Sequence, residues 1–410
     1  MSDAAPASGR VVVQKFGGTS VATAEGREAL RARVRDALDA GRAPVVVVSA
    51  MGRAGAPYAT DTLLGLIDAY TPDARESDLL AACGEVVSAV IVAHELRANR
   101  IPATAMTGAE AGVLTDDRFG DASVLLVDPR TLQAALEAGL VPVVTGFQGA
   151  TAAGQTTTLG RGGSDTSACA IGAALGALAV EIYTDVDGVM TADPRTCDGA
   201  RVLETLQYEE LFQMARSGAK IMHAPAAETA MAAGVPVWVR NASTRAQGTL
   251  VTEAERLTAE RAQRVATAIS TSDGVARAII TLPDGEGRMG ALTAVFREMA
   301  AAGVSLDMFT PLGDALAISF DEGRLSDVRT VLEALGMRAA YETGLATVTV
   351  VGAGMHGVPG VMARVAAGLA DAGIDILQVA DSHYTISVLL RATAGRRAIS
   401  ALHDEFGLGG

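Results

Sequence analysis

The stretch Val11-Val12-Val13-Gln14-Lys15-Phe16-Gly17-Gly18-Thr19-Ser20 runs from an apolar, β-branched segment into a glycine pair, and a helical pattern follows from Glu25 to Ala40. A short buried strand, a tight glycine loop and a helix are the first half of an α/β unit, and they predict an α/β fold for this part of the chain. Glycines there let backbone amides approach an anion, the helix start adds positive potential, and Lys15 supplies a point charge suited to a phosphoryl group. The spacing is neither the Walker A loop, G-x-x-x-x-G-K-[ST], nor the dinucleotide fingerprint, G-x-G-x-x-G. Alone, it fits a tight turn beside a surface lysine as well as it fits a phosphate site.

The same alternation continues outward. Val11 to Gln14, Pro44 to Val48, Val141 to Thr145, Glu181 to Thr184 and Pro236 to Val239 read as buried strands. Glu25 to Ala40, Asp78 to Asn99, Ser164 to Gly176 and His223 to Ala233 carry apolar residues at helical spacing. Several strands end in Gly, Ser, Thr or Asp clusters, at the strand ends where an open α/β sheet holds its ligands. Beyond a polar, charged stretch from Thr252 to Arg264 the texture changes to an internal repeat. Gly290-ALTAVFREMAAA-Gly303-VSLDMF aligns with Gly360-VMARVAAGLADA-Gly373-IDILQV at an offset of 70 residues. Leu292, Val295, Phe296 and Met299 correspond to Met362, Val365, Ala366 and Leu369, one apolar helical face written twice. Two β-α-β units this small are expected to pack against one another and against a second subunit.

With 410 residues, 49% of them hydrophobic, the chain predicts two or three domains. A formal charge of −14 repels a phosphate backbone or an anionic lipid surface, so nucleic acid and membrane are poor partners. Cys83, Cys169 and Cys197 form no C-x-x-C pattern and the five histidines do not cluster with them, which argues against a disulfide framework or a zinc site. No uninterrupted apolar run reaches the ~18 residues of a membrane span. The opening MSDAAPASG lacks the pattern of a secretory leader, so a cytoplasmic protein with a flexible tail is expected.

Three further clusters carry chemistry. In Thr157-Thr158-Leu159-Gly160-Arg161-Gly162-Gly163-Ser164-Asp165-Thr166, Ser164 or Asp165 is a natural helix N-cap. Capping leaves Arg161 among three glycines unexplained, whereas an arginine that grips a carboxylate beside amides that hold oxyanions explains it. Thr184-Asp185-Val186-Asp187-Gly188-Val189-Met190-Thr191-Ala192-Asp193-Pro194-Arg195 follows a strand as an Asp-rich loop suited to nucleotide or metal, though Asp-Gly and Asp-Pro are also simple turn formers. Gly218-Ala219-Lys220-Ile221 offers a second cation. Ser49, Thr60, Asp61 and Glu85 are uninformative singly.

Together, KFGGTS, SAMG, CGE, TLGRGGSDTSA, TDVDGVMTADPR and SGAK, in this order, resemble the aspartokinases of the amino acid kinase superfamily, and the resemblance spans essentially the whole chain. It implies an amino acid kinase domain over 11–250 after a tail at 1–10, a linker at 251–264, and two ferredoxin-like ACT domains at 265–342 and 343–410. It implies transfer of the ATP γ-phosphate to the side-chain carboxylate of aspartate, with Mg²⁺, in the route to lysine, threonine and methionine. By the same resemblance Lys15, Gly17, Gly18 and Ser20 hold ATP phosphates, and Thr184, Asp185, Met190, Arg195, Lys220 and Ile221 line the nucleotide site. Ser49, Thr60, Glu85, Arg161, Gly162, Gly163 and Ser164 bind aspartate, with Arg161 on its α-carboxylate and Glu85 near its amino group. Lys15, Lys220 and Asp165, the acid that orients the lysines, are the catalytic set. Met190 departs from the aromatic residue many aspartokinases carry there, although an apolar Met fills the same space.

In the repeat, Met289, Gly290, Asp307, Met308, Val358, Gln378 and Asp381 mark where an amino acid effector is expected. V-G-A-G-M-H-G-V-P-G-V followed by I-L-Q-V-A-D-S-H is most similar to the diaminopimelate-inhibited bacterial isoform, with lysine and threonine as alternative effectors and a dimer through the ACT domains. Two other readings are a superfamily kinase acting on glutamate, N-acetylglutamate or uridylate, and a catalytically silent amino acid sensor. Retention of Lys15, Arg161, Asp165, Asp185 and Lys220 together favours a catalyst.

Overall fold

The structure is a computed structural model that describes residues 9–71, 73–219, 222–254, 264–283, 287–355 and 357–409. Its contacts divide the chain into two compact units. One comprises 1–189, 202–215 and 220–258, and the other 190–201, 216–219 and 259–410.

The first unit is built on strands β1 (Val11–Phe16), β2 (Ala43–Val48), β3 (Ala103–Met106), β4 (Val113–Thr115), β5 (Val124–Val127), β6 (Val141–Thr145), β7 (Gln148–Ala150), β8 (Thr156–Thr158), β9 (Ala179–Thr184), β10 (Thr205–Gln207), β11 (Val237–Asn241) and β12 (Thr249–Thr252). Eight of them form one sheet in the order β10-β12-β11-β9-β1-β2-β6-β3, parallel except that β12 and β10 run against the rest. Helices α1 (Gly18–Ala22), α2 (Ala24–Asp39), α3 (Thr60–Leu64), α4 (Ala74–Ala98), α5 (Arg130–Glu137), α6 (Gly163–Leu175), α7 (Tyr208–Arg216) and α8 (Ala224–Ala233) complete it. Central strands buried on both faces explain their continuous Val and Ile runs.

The strand period of two decides which side chain meets which helix. On β1, Phe16 joins Leu30 and Val34 of α2 and Val92 and Leu96 of α4 in one core, and Gln14 reaches the Arg33 carbonyl on the same side. The odd positions turn the other way, where a Cβ on Gly172 of α6 would meet Val180 and Val13. Lys15 therefore projects on the α6 side. Helix α4 has the length and composition of a membrane span, yet half of its most apolar window is buried within the protein, as in a core helix.

The expected strands and helices of this unit are all present, with ends shifted by at most four residues. The smaller sheet, β5-β4-β7-β8, escapes the sequence pattern because its strands are three or four residues long and polar at several positions.

In the second unit, β13 (Ala268–Thr281), β14 (Met308–Leu312), β15 (Ala315–Asp321), β16 (Ala339–Val351), β17 (Gln378–Asp381) and β18 (Thr385–Arg391) form one antiparallel sheet, β14-β15-β13-β16-β18-β17. The repeat recurs in the elements: β15 and β18 lie 70 residues apart, as do the starts of β14 and β17. The helices Gly287–Ala301 and Val361–Asp371 bury Val295 and Met299 in one core and Val365 and Leu369 in another, while Met362 of the shared face stays exposed. Strand β13 contributes Ile269 to the second core and Ala276, Ala278 and Ile280 to the first, and the boundary expected at 342/343 falls inside β16. The two modules thus share a sheet. Most of the expected 251–264 linker lies outside the described residues.

Candidate active site

The carboxyl ends of β1, β2 and β6 and the start of α6 surround a cleft of about 600 Å³. Lys15 and Asp165 meet in it, Nζ to Oδ1, at 2.6 Å, with side chains 13% and 11% exposed. The sequence suggests Ser164 or Asp165 as the cap of α6, but the cap is Gly162, in the left-handed region at φ 71°. Both side chains consequently lie in the first helical turn, where Asp165 takes Lys15 and the Ser164 hydroxyl pairs with that of Ser49 at 3.0 Å. A carboxylate in a first turn is favoured by the helix dipole, so α6 helps hold the pair.

Two glycines are required by space. A Cβ on Gly18 would stand 2.5 Å from the Ala50 carbonyl oxygen, so the β1 loop nests against the end of β2. A Cβ on Gly162 would stand 2.1 Å from Cβ of His223, in a backbone region that side chains disfavour. Gly162→Ala is expected to cost about 1–3 kcal/mol of stability and to displace Arg161 and Ser164, raising KM for the substrate bound there. Thermal denaturation and steady-state kinetics on the purified variant check both.

Glu85, on α4, is 2% exposed. Its Oε1 accepts the Ala50 amide at 2.9 Å, while Oε2 has no hydrogen-bond partner among the described residues. Burial pushes its pKa up to about 7, against the opposing pull of the Ala50 amide. A buried carboxylate with one unused oxygen is matched to a cation arriving in the cleft. Arg161 stands at the exposed lip of the same cleft with no carboxylate partner among the described residues.

Lys15, Gly18, Ser49, Thr60, Glu85, Arg161, Gly162, Gly163, Ser164 and Asp165 therefore share one cleft. Gly17 precedes α1 as its cap, and buried Ser20 turns its amide back to the Gly17 carbonyl at 2.9 Å. The Thr184 hydroxyl donates to Asp185 at 3.1 Å, and Asp185 faces Arg53 at 3.4 Å. Met190 and Arg195 belong to the second unit, where Arg195 is closed onto Asp193 at 2.6 Å. Lys220 and Ile221 lie outside the described residues. Of the effector positions, Met289 is 71% exposed, Met308 is buried with Val275, Leu345 and Leu389, and Gln378 Nε2 donates to Thr310 Oγ1 at 2.9 Å. Burial and the nearby Asp321 raise the pKa of Asp307; Gly290, Val358 and Asp381 are exposed.

Sequence reasoning missed three residues. Arg53 and Phe147 line the cleft, and their signal was their place just after β2 and β6. Asp78 is buried on α4 and accepts the Gly120 amide at 3.0 Å, the Thr158 amide at 2.8 Å and the Thr158 hydroxyl at 2.7 Å, which anchors the strand leading to Arg161. Nothing in the local pattern distinguishes it from a helix-surface aspartate.

An amino acid kinase family model matches residues 10–241 and an ACT domain model residues 340–404. Aspartokinase 1 of Bacillus subtilis (strain 168) is 41% identical over 403 residues, covering 97% of this chain and 99% of its own. The aspartokinase of Mycolicibacterium smegmatis is 39% identical over 416 residues, 98% of this chain and 97% of its own. Among solved structures, E. coli aspartokinase III in complex with aspartate and ADP superposes with a TM-score of 0.80 at 25% identity, over 97% of this chain and 99% of that one. These matches span nearly the full length of each relative, and the chain belongs to the aspartokinases, the aspartate kinases of the amino acid kinase family.

Proposed function

We propose that the cleft holds aspartate by its two ends and presents its side-chain carboxylate to the ATP γ-phosphate beside Lys15. The observation that carries this reading is the presence, in one cleft, of a buried carboxylate oxygen and an arginine that have no partner of opposite charge among the described residues, beside a lysine–aspartate pair. Glu85 Oε2 takes the α-ammonium, Arg161 grips the α-carboxylate bidentately, and Ser49, Thr60, Ser164 and the Gly162–Gly163 amides fix the rest. Support comes from E. coli aspartokinase III, whose solved complex contains aspartate and ADP.

The acceptor carboxylate is ionised at neutral pH, so no general base is needed. The barrier lies in bringing two anions together, and the residues act by alignment and charge neutralisation. Lys15 supplies the positive charge and Asp165 positions it. Gly17, Gly18, Ser20, Thr184, Asp185, Met190, Arg195, Lys220 and Ile221 complete the nucleotide site by resemblance. Among the described residues no three carboxylate, His or Cys side chains gather around a common point, and Asp165 and Asp185 already face Lys15 and Arg53. That donor set suits Mg²⁺ carried on the phosphates, where it neutralises charge when bound. Arg161→Ala is expected to raise KM for aspartate about 100-fold and leave KM for ATP within about twofold; equal losses for both substrates would remove Arg161 from the aspartate site.

The duplicated module is read as the feedback sensor of a cytoplasmic enzyme at the head of the lysine, threonine and methionine routes, acting as a dimer. E. coli aspartokinase III has been solved with lysine and aspartate. For this chain the glycine-rich segment before Val361 and the sequence of β17 favour meso-diaminopimelate over lysine or threonine. Met289, Gly290, Asp307, Met308, Val358, Gln378 and Asp381 are the contacts to vary. Inhibition by meso-diaminopimelate and not by lysine or threonine, lost in Gln378→Ala, is the supporting result.

A further inference from the structure

Asp78, Ala82 and Glu85 are buried at positions i, i+4 and i+7 of α4, on one face of the helix. That face meets two walls of the cleft. At one end of it Glu85 takes the Ala50 amide, and a Cβ on Gly84 would stand 2.7 Å from the Tyr58 carbonyl oxygen and 2.8 Å from the Ala50 Cβ. One turn earlier the Ala82 carbonyl accepts Gln148 Nε2 at 2.9 Å, which ties β7 to the helix. Two turns before Glu85, Asp78 holds β8.

Both oxygens of Asp78 are engaged. Oδ2 accepts the Thr158 amide at 2.8 Å and the Gly120 amide at 3.0 Å, and Oδ1 accepts the Thr158 hydroxyl at 2.7 Å. The two segments it joins also meet each other, through the Ala122 amide on the Thr158 carbonyl at 2.9 Å. Between Thr158 and Arg161, the Leu159 amide donates to the Phe147 carbonyl at 2.8 Å. Gly160 follows in the left-handed region at φ 65°, where a Cβ would stand 2.6 Å from Asp121 Oδ1. Arg161 thus leaves from a base that rests on β8 and on the 120–122 turn, both held by one buried carboxylate. Three donors satisfy that carboxylate, and its charge makes each bond stronger than a neutral one.

We propose that Asp78 is a positioning residue for aspartate: through Thr158 and Gly120 it sets the place of Arg161 relative to Glu85, so that one helix spaces the carboxylate grip from the ammonium acceptor. This rests on the reading of Glu85 and Arg161 as the two holders of the aspartate head group. Asp78 does not itself line the cleft, and it acts through the segment it holds. It makes aspartate affinity, and not ATP affinity, the quantity that this carboxylate controls.

The test uses the full chain. Asp78→Asn keeps the shape but turns an amide N–H toward a donor, Thr158→Val removes the hydroxyl, and Thr158→Ser keeps it. Each is confirmed folded by circular dichroism, then Tm and KM for aspartate and for ATP are measured. KM for aspartate is expected to rise about 20-fold in Asp78→Asn and about fivefold in Thr158→Val, with KM for ATP within about twofold in both. Thr158→Ser stays within about twofold of the parent for both substrates. Introduced into Arg161→Ala, Asp78→Asn is expected to add less than about twofold to KM for aspartate, because the group it positions is gone. A lower Tm with both KM values unchanged would make Asp78 a structural anchor only, and a full additional loss in the double variant would show that it does not act through Arg161; either result overturns the proposal. If Arg161→Ala raises KM for aspartate while Asp78→Asn does not, the positioning role is wrong and the aspartate site stands. If neither raises it, both fall. If Asp78→Asn fails to fold, Thr158→Val set against Thr158→Ser reads the same contact.

Discussion

Lys15→Ala is expected to leave a folded protein whose kcat is lower by about 10³-fold. The argument is geometric. Lys15 stands at the end of the central strand β1, is held by Asp165 at 2.6 Å, and faces the cleft that gathers the other predicted substrate residues. In a reaction with no proton to abstract from its nucleophile, charge neutralisation is the main service the protein can provide, so removing this cation removes transition-state stabilisation and little ground-state binding. KM for aspartate should therefore move far less than kcat. Asp165→Asn leaves the lysine present but unanchored and should cost less, about 10–100-fold. An unchanged kcat in Lys15→Ala, measured by single-turnover phosphoryl transfer, would take Lys15 out of the mechanism.

Glu85→Gln is expected to raise KM for aspartate about 100-fold and to flatten its pH dependence. In the parent, burial lifts the Glu85 pKa to about 7. Below that value the carboxyl is neutral in the free enzyme and greets the substrate ammonium poorly, so KM should rise about tenfold per pH unit as pH falls below about 7. Stability moves in the opposite sense. The folded pKa is above the unfolded one, the folded state binds more protons between about 4.5 and 7, and the parent loses stability as pH rises through that window. About 3 kcal/mol of this loss is absent from Glu85→Gln, so the difference in unfolding free energy should shift toward the variant by that amount between about pH 4 and 8. Parallel denaturation curves at both pH values for the two proteins would contradict the account of Glu85 as a carboxyl whose pKa is raised by burial.

The parts of this account legible in sequence are those governed by short-range rules. Val141–Thr145 is found to the residue because a buried parallel strand is a continuous apolar run, and the repeat is legible because two helices bury the same positions, Val295 with Val365 and Met299 with Leu369. The alternation along β1 even foretells that Lys15 and Phe16 serve opposite faces. What the sequence conceals is long-range. Asp78 and Thr158 meet 80 residues apart, and Thr191 and His403 212 residues apart. The capping expectation at Ser164 and Asp165 was local and gave way to a tertiary demand: the left-handed Gly162 carries the chain into α6 and leaves both polar side chains to the cleft. Met190–Arg201 reads as kinase loop and packs as regulatory core, a division no local propensity encodes.

The measurement that bears most directly on the account is an ADP-release assay with aspartate, glutamate and N-acetylglutamate as acceptors, with hydroxylamine trapping of the acyl phosphate. An acyl hydroxamate and stoichiometric ADP with aspartate alone is the predicted result, since in the proposed pose N-acetylation would remove the ammonium assigned to Glu85 and an extra methylene would displace the reacting carboxylate from Lys15. Turnover of N-acetylglutamate equal to that of aspartate, or no turnover of aspartate by folded protein, would contradict it.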